Sequence, residues 1–538
     1  MLRLEPTMRV PLLALLAALS APPCQRWNPE LCDDIRPCGG GRICGPPEAD
    51  GRRRCVPADG GWSACTSSAE CPEELPLCGA GLALCRACQP GEDAACRERN
   101  PRLPRCLGPR CVECLPGADS IQSGDCPPGA PVCDRGSASC RPCRLHAECR
   151  SGVCVKDDRT APPGLSRGMC VPEDQVLVID QTACNDLGPV FCTPAVALSR
   201  MDRGHRHLVF RRTARNMEVL LSELDVGLNE PQRGIDLHLI GPLSDGPPDQ
   251  LQEMPPVTIG GIRARRGFIV WPRTRVTIEG FFIAGAQIGL DCIGDQAVPT
   301  EVRLVRSLLG DNRTAVSLKN GCRLELRESW LGRRPPQGRF RGIHGNRLAL
   351  EVLSSDFDIE NSVLCGNGAA DSFGGIRIVG LGGRPLSTVV NTTFFAQAGR
   401  AAAGGRFYTD LVCEGTQDRL AVLNSLFLHG PDDPLPADGY VSPACGPHLH
   451  ALGSDDPQLG AQPTVLLPPG QGAGFRDVAA LDLRLAGEGE GPAQQALRSG
   501  GLPAVTVRGV PVAAPPADMD GRPRPSGRLA IGAYEPVQ

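Results

Sequence analysis

Three acidic residues stand at alternate positions in Asp356-Phe-Asp-Ile-Glu360, with Phe357 and Ile359 between them. Successive side chains of a strand point to opposite faces, so Asp356, Asp358 and Glu360 share one face. Carboxylates gathered in this way can hold a hard cation, or shift one another's pKa toward acid–base work. Glu325-Leu-Arg327 repeats the alternation 33 residues before Asp358. Glu325, Asp358 and Glu360 are therefore the catalytic candidates, and Asp356 with Asp358 the metal candidates. The competing reading is a solvated face with an Arg327–Glu360 pair, which contributes little at a surface.

The other residues with chemistry are the cysteines. Of 28, 21 fall between Cys24 and Cys170. The spacing Cys71-x6-Cys78-x6-Cys85-x2-Cys88 recurs at Cys126-x6-Cys133-x6-Cys140-x2-Cys143. Cys184 and Cys192 are spaced to close a further short loop. Between the cysteines stand Pro, Gly, Arg and Ser, which bury too little apolar surface to offset chain entropy. Covalent links must hold this segment, and their connectivity is not readable from spacing. Three C-x2-C pairs (Cys85/Cys88, Cys111/Cys114, Cys140/Cys143) also suit a zinc ribbon or a redox motif, but neither belongs with so dense a cysteine framework behind an export signal. The segment resembles the small disulfide-rich repeats of surface proteins of myxobacteria and related bacteria.

These candidates need elements to position them. A block recurs at Val276, Val302, Leu324, Phe357, Ser387 and Leu420, at intervals of 26, 22, 33, 30 and 33 residues. Its third position is always aliphatic and its eighth always large and apolar. Its sixth is Ser or Thr in the last five units, and its fifth is Asn in the last three (Asn361, Asn391, Asn424). Short alternating strands in units of 20–35 residues fit a parallel β-helix, whose coils bury their apolar sides only by stacking. In that register Glu325 stacks beside Asp358 and Arg327 beside Glu360. The aligned Asn residues suit an amide ladder running from coil to coil.

Residues 175–538 resemble the right-handed parallel β-helix proteins of the pectate-lyase-like superfamily. Asp518-Met-Asp-Gly-Arg-Pro-Arg524 with Ile531-Gly-Ala-Tyr-Glu535 is similar to the closing motif of secreted β-helix proteins of the choice-of-anchor type, with Ala530 in place of the usual Asp. The resemblance implies an elongated all-β coil and, in its enzymatic members, action on polysaccharides through outward carboxylates, often with calcium. The paired-Asp and Gly-His-Gly signatures of polygalacturonases are absent, as is the Arg-rich motif of pectate lyases; Gly342-Ile-His-Gly345 does not match.

Composition narrows the rest. The net charge of −4 and the lack of a basic stripe argue against a nucleic-acid partner. Arg3, Arg9 and the apolar run Val10–Leu19, followed by small residues, read as an export signal over 1–20. No later apolar run is long enough to span a bilayer. Cys24 would be the site of a lipid anchor, but Pro22 and Pro23 depart from that pattern. The expected organisation is a signal at 1–20, a cysteine-rich region at 21–172, the β-helix at 173–480 and a closing segment at 481–538. The expected role is a secreted or cell-surface structural or interaction protein whose partner is a glycan or a surface protein, with no cofactor. The alternative is a polysaccharide lyase or glycoside hydrolase, the one reading that calls for calcium.

Overall fold

The computed structural model describes residues 65–535 except 181–189, 212–222, 334–343, 398–407, 430–438, 468–474, most of 246–264 and several shorter stretches. Before residue 65 it describes only the backbone of three short strands. The signal segment and Cys24 lie outside the described residues. The chain forms two compact units, 1–115 and 116–538.

Among its described residues the first unit has short antiparallel pairs, such as Arg105–Leu107 with Arg110–Val112, and a seven-residue helix, Asp93–Arg99. Its interior is largely cystine: Cys88, Cys96, Cys106 and Cys111 pack on Leu77.

The second unit is a parallel β-helix. A typical coil runs through three strands, Arg266–Val270, Arg275–Glu279 and Phe282–Ala284, which we call its first, second and third faces. The next coil repeats them as Ile288–Ile293, Thr300–Val305 and Leu308–Gly310. First- and second-face strands join in a 17-stranded sheet, and third-face strands form a nine-stranded one. The register follows the sequence repeat. Val276 pairs with Val302, Val302 with Leu324, and Leu324 with Phe357. Ser387 pairs with Leu420 one step on.

Each aliphatic third position, from Ile278 to Val422, is buried in one continuous core, together with the eighth positions from Ile283 to Phe427. Like stacks on like, and Phe394 and Phe427 lie nearly parallel with ring centroids 4.6 Å apart. The disulfides Cys292–Cys322 and Cys413–Cys445 tie parts of the coil, while Cys365 remains a buried thiol.

The bend between second and third faces explains the polar positions. Its fifth residue is in the left-handed region throughout: Gly280 at φ 73°, Arg306 and Glu328 at 48°, Asn361 at 46°, Asn391 at 48° and Asn424 at 52°. Asn tolerates this conformation best after Gly, because its short amide bonds locally. The sixth residue then carries a hydroxyl ladder. The Ser329 hydroxyl donates to the Arg327 carbonyl (2.8 Å) and accepts from the Ser307 N–H of the previous coil (3.2 Å). The Ser329 N–H donates in turn to the Ser362 hydroxyl (3.3 Å), and Thr392 N–H to Ser425 (3.3 Å).

The expected ladder of Asn361, Asn391 and Asn424 is corrected here. Only Asn424 reaches Asn391, at 3.5 Å, and their amides mainly bind the C-terminal segment, as in Asn424 to Leu502 O (2.7 Å) and Asn361 to Ala517 O (2.6 Å). A continuous buried amide ladder stands elsewhere, at the bend after the third face. Asn312 Nδ2 donates to Asn346 Oδ1 (3.0 Å) and Asn346 Nδ2 to Asn367 Oδ1 (2.9 Å), while the Asn367 N–H meets Gln397 Oε1 (3.0 Å). Asn312 and Asn391, each the first residue of an Asn-x-Thr glycosylation sequence, are both buried and bonded.

Two segments cover outer faces. Leu483, Leu497, Met519, Ile531 and Tyr534 pack on the outward side of the third face, against Leu308, Trp330, Val363 and Leu426. Val153, Val155 and Val171 of the last disulfide-rich stretch cover Val176, Val178, Val209 and Ile240 of the first coils.

Asn346→Ala should be costly. It leaves the Asn312 backbone N–H without its acceptor and the Leu309 carbonyl without the Asn346 amide, while the Asn312 amide keeps the Ile283 and Gly310 carbonyls. A buried group left unpaired costs about 1–3 kcal/mol, so urea unfolding should show a loss of about 3 kcal/mol or more.

Candidate functional site

The β-helix brings the sequence candidates together. Glu325 pairs with Asp358 and Arg327 with Glu360, with Phe357 and Ile359 turned inward. Each carboxylate is engaged. Asp358 accepts from Thr388 Oγ1 (2.8 Å), Arg384 Nη1 (2.5 Å) and Arg323 Nη2 (3.5 Å). Glu360 lies 3.3 Å from Arg327 Nε. Glu325 is buried under Arg303 (3.1 Å), Arg327 (2.5 Å) and Arg159 (3.2 Å), the last from the disulfide-rich stretch. Asp356 is also buried, beneath a loop whose Arg384 N–H donates to it at 3.1 Å. Gly382 permits that loop, since a Cβ there would fall 2.5 Å from the Asp356 carboxylate.

Burial pushes the Glu360 carboxyl up; Arg327 opposes this, and Glu325 and Asp358 reinforce it. A raised carboxyl suits a general acid. Its neighbours, however, are a guanidinium and two carboxylates themselves tied to guanidinium groups. The metal pair Asp356 and Asp358 is likewise occupied by backbone and arginine donors. The stripe is an ion-paired surface as it stands.

The cysteines resolve into defined pairs. Cys71–Cys85 and Cys126–Cys140 join the first and third cysteines of each matched copy. Cys78 pairs backward with Cys65, while Cys88 and Cys143 pair forward with Cys106 and Cys154. Cys96–Cys111 and Cys149–Cys170 are two further bridges. Every C-x2-C pair is thus split between two bridges: Cys111 goes to Cys96, and Cys114 is disulfide-bonded as well. Interlocking of this kind leaves none of these three pairs as thiolates for zinc or redox exchange. Cys133 and Cys192 are disulfide-bonded, and Cys184 lies outside the described residues.

The C-terminal motif forms a buried polar knot. Arg524 pairs with Glu535 and donates to Asn361 Oδ1 (2.9 Å), and Asp518 accepts from the N–H groups of Arg522 (2.7 Å) and Glu535 (2.9 Å). It locks the closing segment onto the bends at Asn361 and Asn391.

Two polar clusters were not singled out from sequence. In one, Glu279 meets His146, His238 and Lys156, drawn from stretches far apart in the chain. In the other, Asp455 binds Tyr440 Oη (2.8 Å) and His429, while Asp456 accepts from the Tyr440 N–H (3.2 Å). Asp455 and Asp456 are both buried. Asp410 stands nearby with Oδ1 unpaired, and burial, opposed by the Thr409 bond and reinforced by Asp455 and Asp456, pushes its carboxyl well up. Asp432 and Asp433 lie outside the described residues. His344 is exposed, and its backbone N–H donates to Asp311 Oδ1 (2.9 Å).

Comparison with protein-family models, with curated proteins and with solved structures found no match. Among the described residues no helix is long and apolar enough to cross a membrane.

Peptide mapping of non-reduced protein should recover Cys71 linked to Cys85 and Cys88 linked to Cys106; a Cys85–Cys88 link would refute the interlocked scheme. Asp410 supplies a second prediction. A carboxyl raised in the fold adds stability that is complete below the unfolded pKa and lost as pH rises through the folded one. The urea midpoint of Asp410→Asn should therefore gain on that of the wild type as pH rises above about 4, where an unfolded aspartate ionises and the buried one resists it.

Proposed function

We propose that the chain is an exported, disulfide-stapled scaffold that binds glycan or protein through the outer face of its β-helix. The observation that carries this reading is the neutralised stripe: Glu325, Asp358 and Glu360 all face arginine. A lyase or hydrolase needs carboxylates held ready for substrate, with a raised and a normal pKa kept apart. A scaffold needs a firm patterned surface, and ladders of arginine and carboxylate supply one. Arg377 bridges Glu351 (3.0 Å) and Glu414 (2.6 Å) across neighbouring coils, and Arg323 lies between Glu301 (3.5 Å) and Asp358 (3.5 Å). Partly exposed guanidinium groups in fixed positions suit the carboxylates and hydroxyls of acidic glycans or of a protein surface. Dense disulfides and the signal-like residues 1–20 support an oxidising, extracytoplasmic setting.

The test is incubation with a panel of neutral and acidic polysaccharides, with and without calcium. The expected outcome is retention on an immobilised glycan or protein ligand, weakened several-fold in Arg377→Ala, with no new reducing ends and no unsaturated product. Turnover that disappears in Asp358→Asn would replace the scaffold with the enzyme.

A further inference from the structure

The disulfide-rich stretch Cys143–Val171 docks on the first coils through two adjoining patches. One is the valine cluster described above. The other is polar and almost sealed from water: His146, His207, His238 and Glu279 are each at most 4% exposed. Glu279 Oε2 faces His146 Nε2 at 3.2 Å and His238 Nε2 at 3.1 Å, while Glu279 Oε1 takes Lys156 Nζ at 2.9 Å. His207 and His238 are register partners on neighbouring coils, with ring centroids 5.4 Å apart. Neither nitrogen of His207 has a hydrogen-bond partner.

A metal is the first occupant to consider, since ligand atoms of His146, His238 and Glu279 lie within 4.8 Å of one another. The His146 tautomer argues against it. Its Nδ1 accepts from the Cys154 N–H at 3.1 Å, so the single ring proton sits on Nε2, the atom a metal would need. A metal-bound histidine normally donates its other N–H instead. With the proton on Nε2, His146 is a donor to Glu279, and the group is a hydrogen-bonded clasp.

This arrangement resists a second proton. Protonating His146 places an N–H at Nδ1 against the Cys154 N–H, converting a bond into a donor–donor contact. Protonating His207 creates a buried cation with no acceptor, beside His238 and near Arg206. From the β-helix side Arg306 approaches Glu279 at 4.0 Å and is itself paired with Glu328, and Asp245 holds Lys156 and the N–H groups of His146 and Ala147. Within the docked stretch Glu148 is engaged by Arg141, and Asp157 by Arg303 of the coil. Glu279 is the acidic group that faces the ring of His146, and Lys156 already draws on it.

We propose that His146 and His207 make this docking acid-labile, so that the stretch Cys143–Val171 lifts reversibly from the first coils of the β-helix as pH falls below the ordinary histidine range. The sign follows from linkage. Burial holds both imidazoles below their usual pKa, so the docked form binds fewer protons than the open one. Docking is then complete above about pH 6.5 and weakens as pH falls. Glu279 is held well below the usual carboxylate range: burial opposes this, and His146, Lys156 and His238 overcome it. It adds a loss of the same sign at lower pH.

Amide hydrogen exchange on the full chain, corrected for intrinsic rates, tests this. Between pH 7.5 and pH 5.0 the opening equilibrium at the His146 and Ala147 amides, whose N–H groups bond Asp245 across the interface, should rise by up to about 30-fold for each of the two histidines, up to about 1000-fold together. Core amides such as Leu304 and Ile359 should keep their protection. His207→Leu removes a titrating group that makes no hydrogen bond and should cut the acid effect to no more than about 30-fold. Unchanged protection at pH 5.0, an equal loss throughout the coil, or an effect undiminished in His207→Leu would overturn the proposal. If His207→Leu does not fold, imidazole NMR of the wild type decides: neutral His146 and His207 rings at pH 5.5 support the clasp, and ordinary titration near pH 6.5 overturns it.

Discussion

The whole coil depends on satisfying the polar groups that stacking buries. A parallel β-helix hides apolar side chains by placing one turn of chain on another, and each bend carries backbone N–H and carbonyl groups into the stack. In the interior these must be paired. The hydroxyl ladder at Ser307, Ser329 and Ser362 does this at one bend, and the amide ladder at Asn312, Asn346 and Asn367 at another. Both reach the adjacent coil as well as their own. Polar satisfaction and coil stacking are therefore one event, and coil register is fixed by the bends as well as by the core.

This dependence explains what the sequence made legible. The repeat at Val276, Val302, Leu324 and Phe357 was readable because core position and bend chemistry recur together in one block. The stacking of Glu325 beside Asp358 followed from that register alone. The role of Asn361, Asn391 and Asn424 was misread because two demands select the same residue. A left-handed bend and an amide ladder both favour Asn, and here the backbone demand holds at all three, with the amides turned to the closing segment. The ladder itself escaped notice because its members are separated by 34, 21 and 30 residues and lie outside the aligned block. The Glu279 cluster was still less accessible: His146 and Glu279 are 133 residues apart, and only the docking of one stretch on another brings them together.

Coverage of the outer faces decides what chemistry remains. The closing segment seals the third face with apolar side chains and a buried Arg524–Glu535 pair. The disulfide-rich stretch shields the first coils and extends as far as Glu325 through Arg159. Asp358 and Glu360 are left beside arginines on a partly open strip. Stacking in register at one strand spacing brings like charges close together, which is repulsive unless opposite charges intervene. The arginines at 303, 323, 327 and 384 answer that structural need, so their presence beside the carboxylates requires no catalytic explanation.

The docking interface poses a different question, because the valines there would by themselves supply an apolar contact. Adding a buried carboxylate and three imidazoles is costly unless every member is paired, and breaking one partner of such a group costs more than an apolar replacement would. His207 is the member left unpaired, in a site with ample apolar neighbours. For holding two surfaces together, a leucine would serve at least as well. What an imidazole offers there is a change of charge in the range where few other side chains titrate. The unpaired His207 and the proton-refusing Nδ1 of His146 therefore belong together physically: both leave the docked state intact while the rings are neutral, and both penalise it once they are charged.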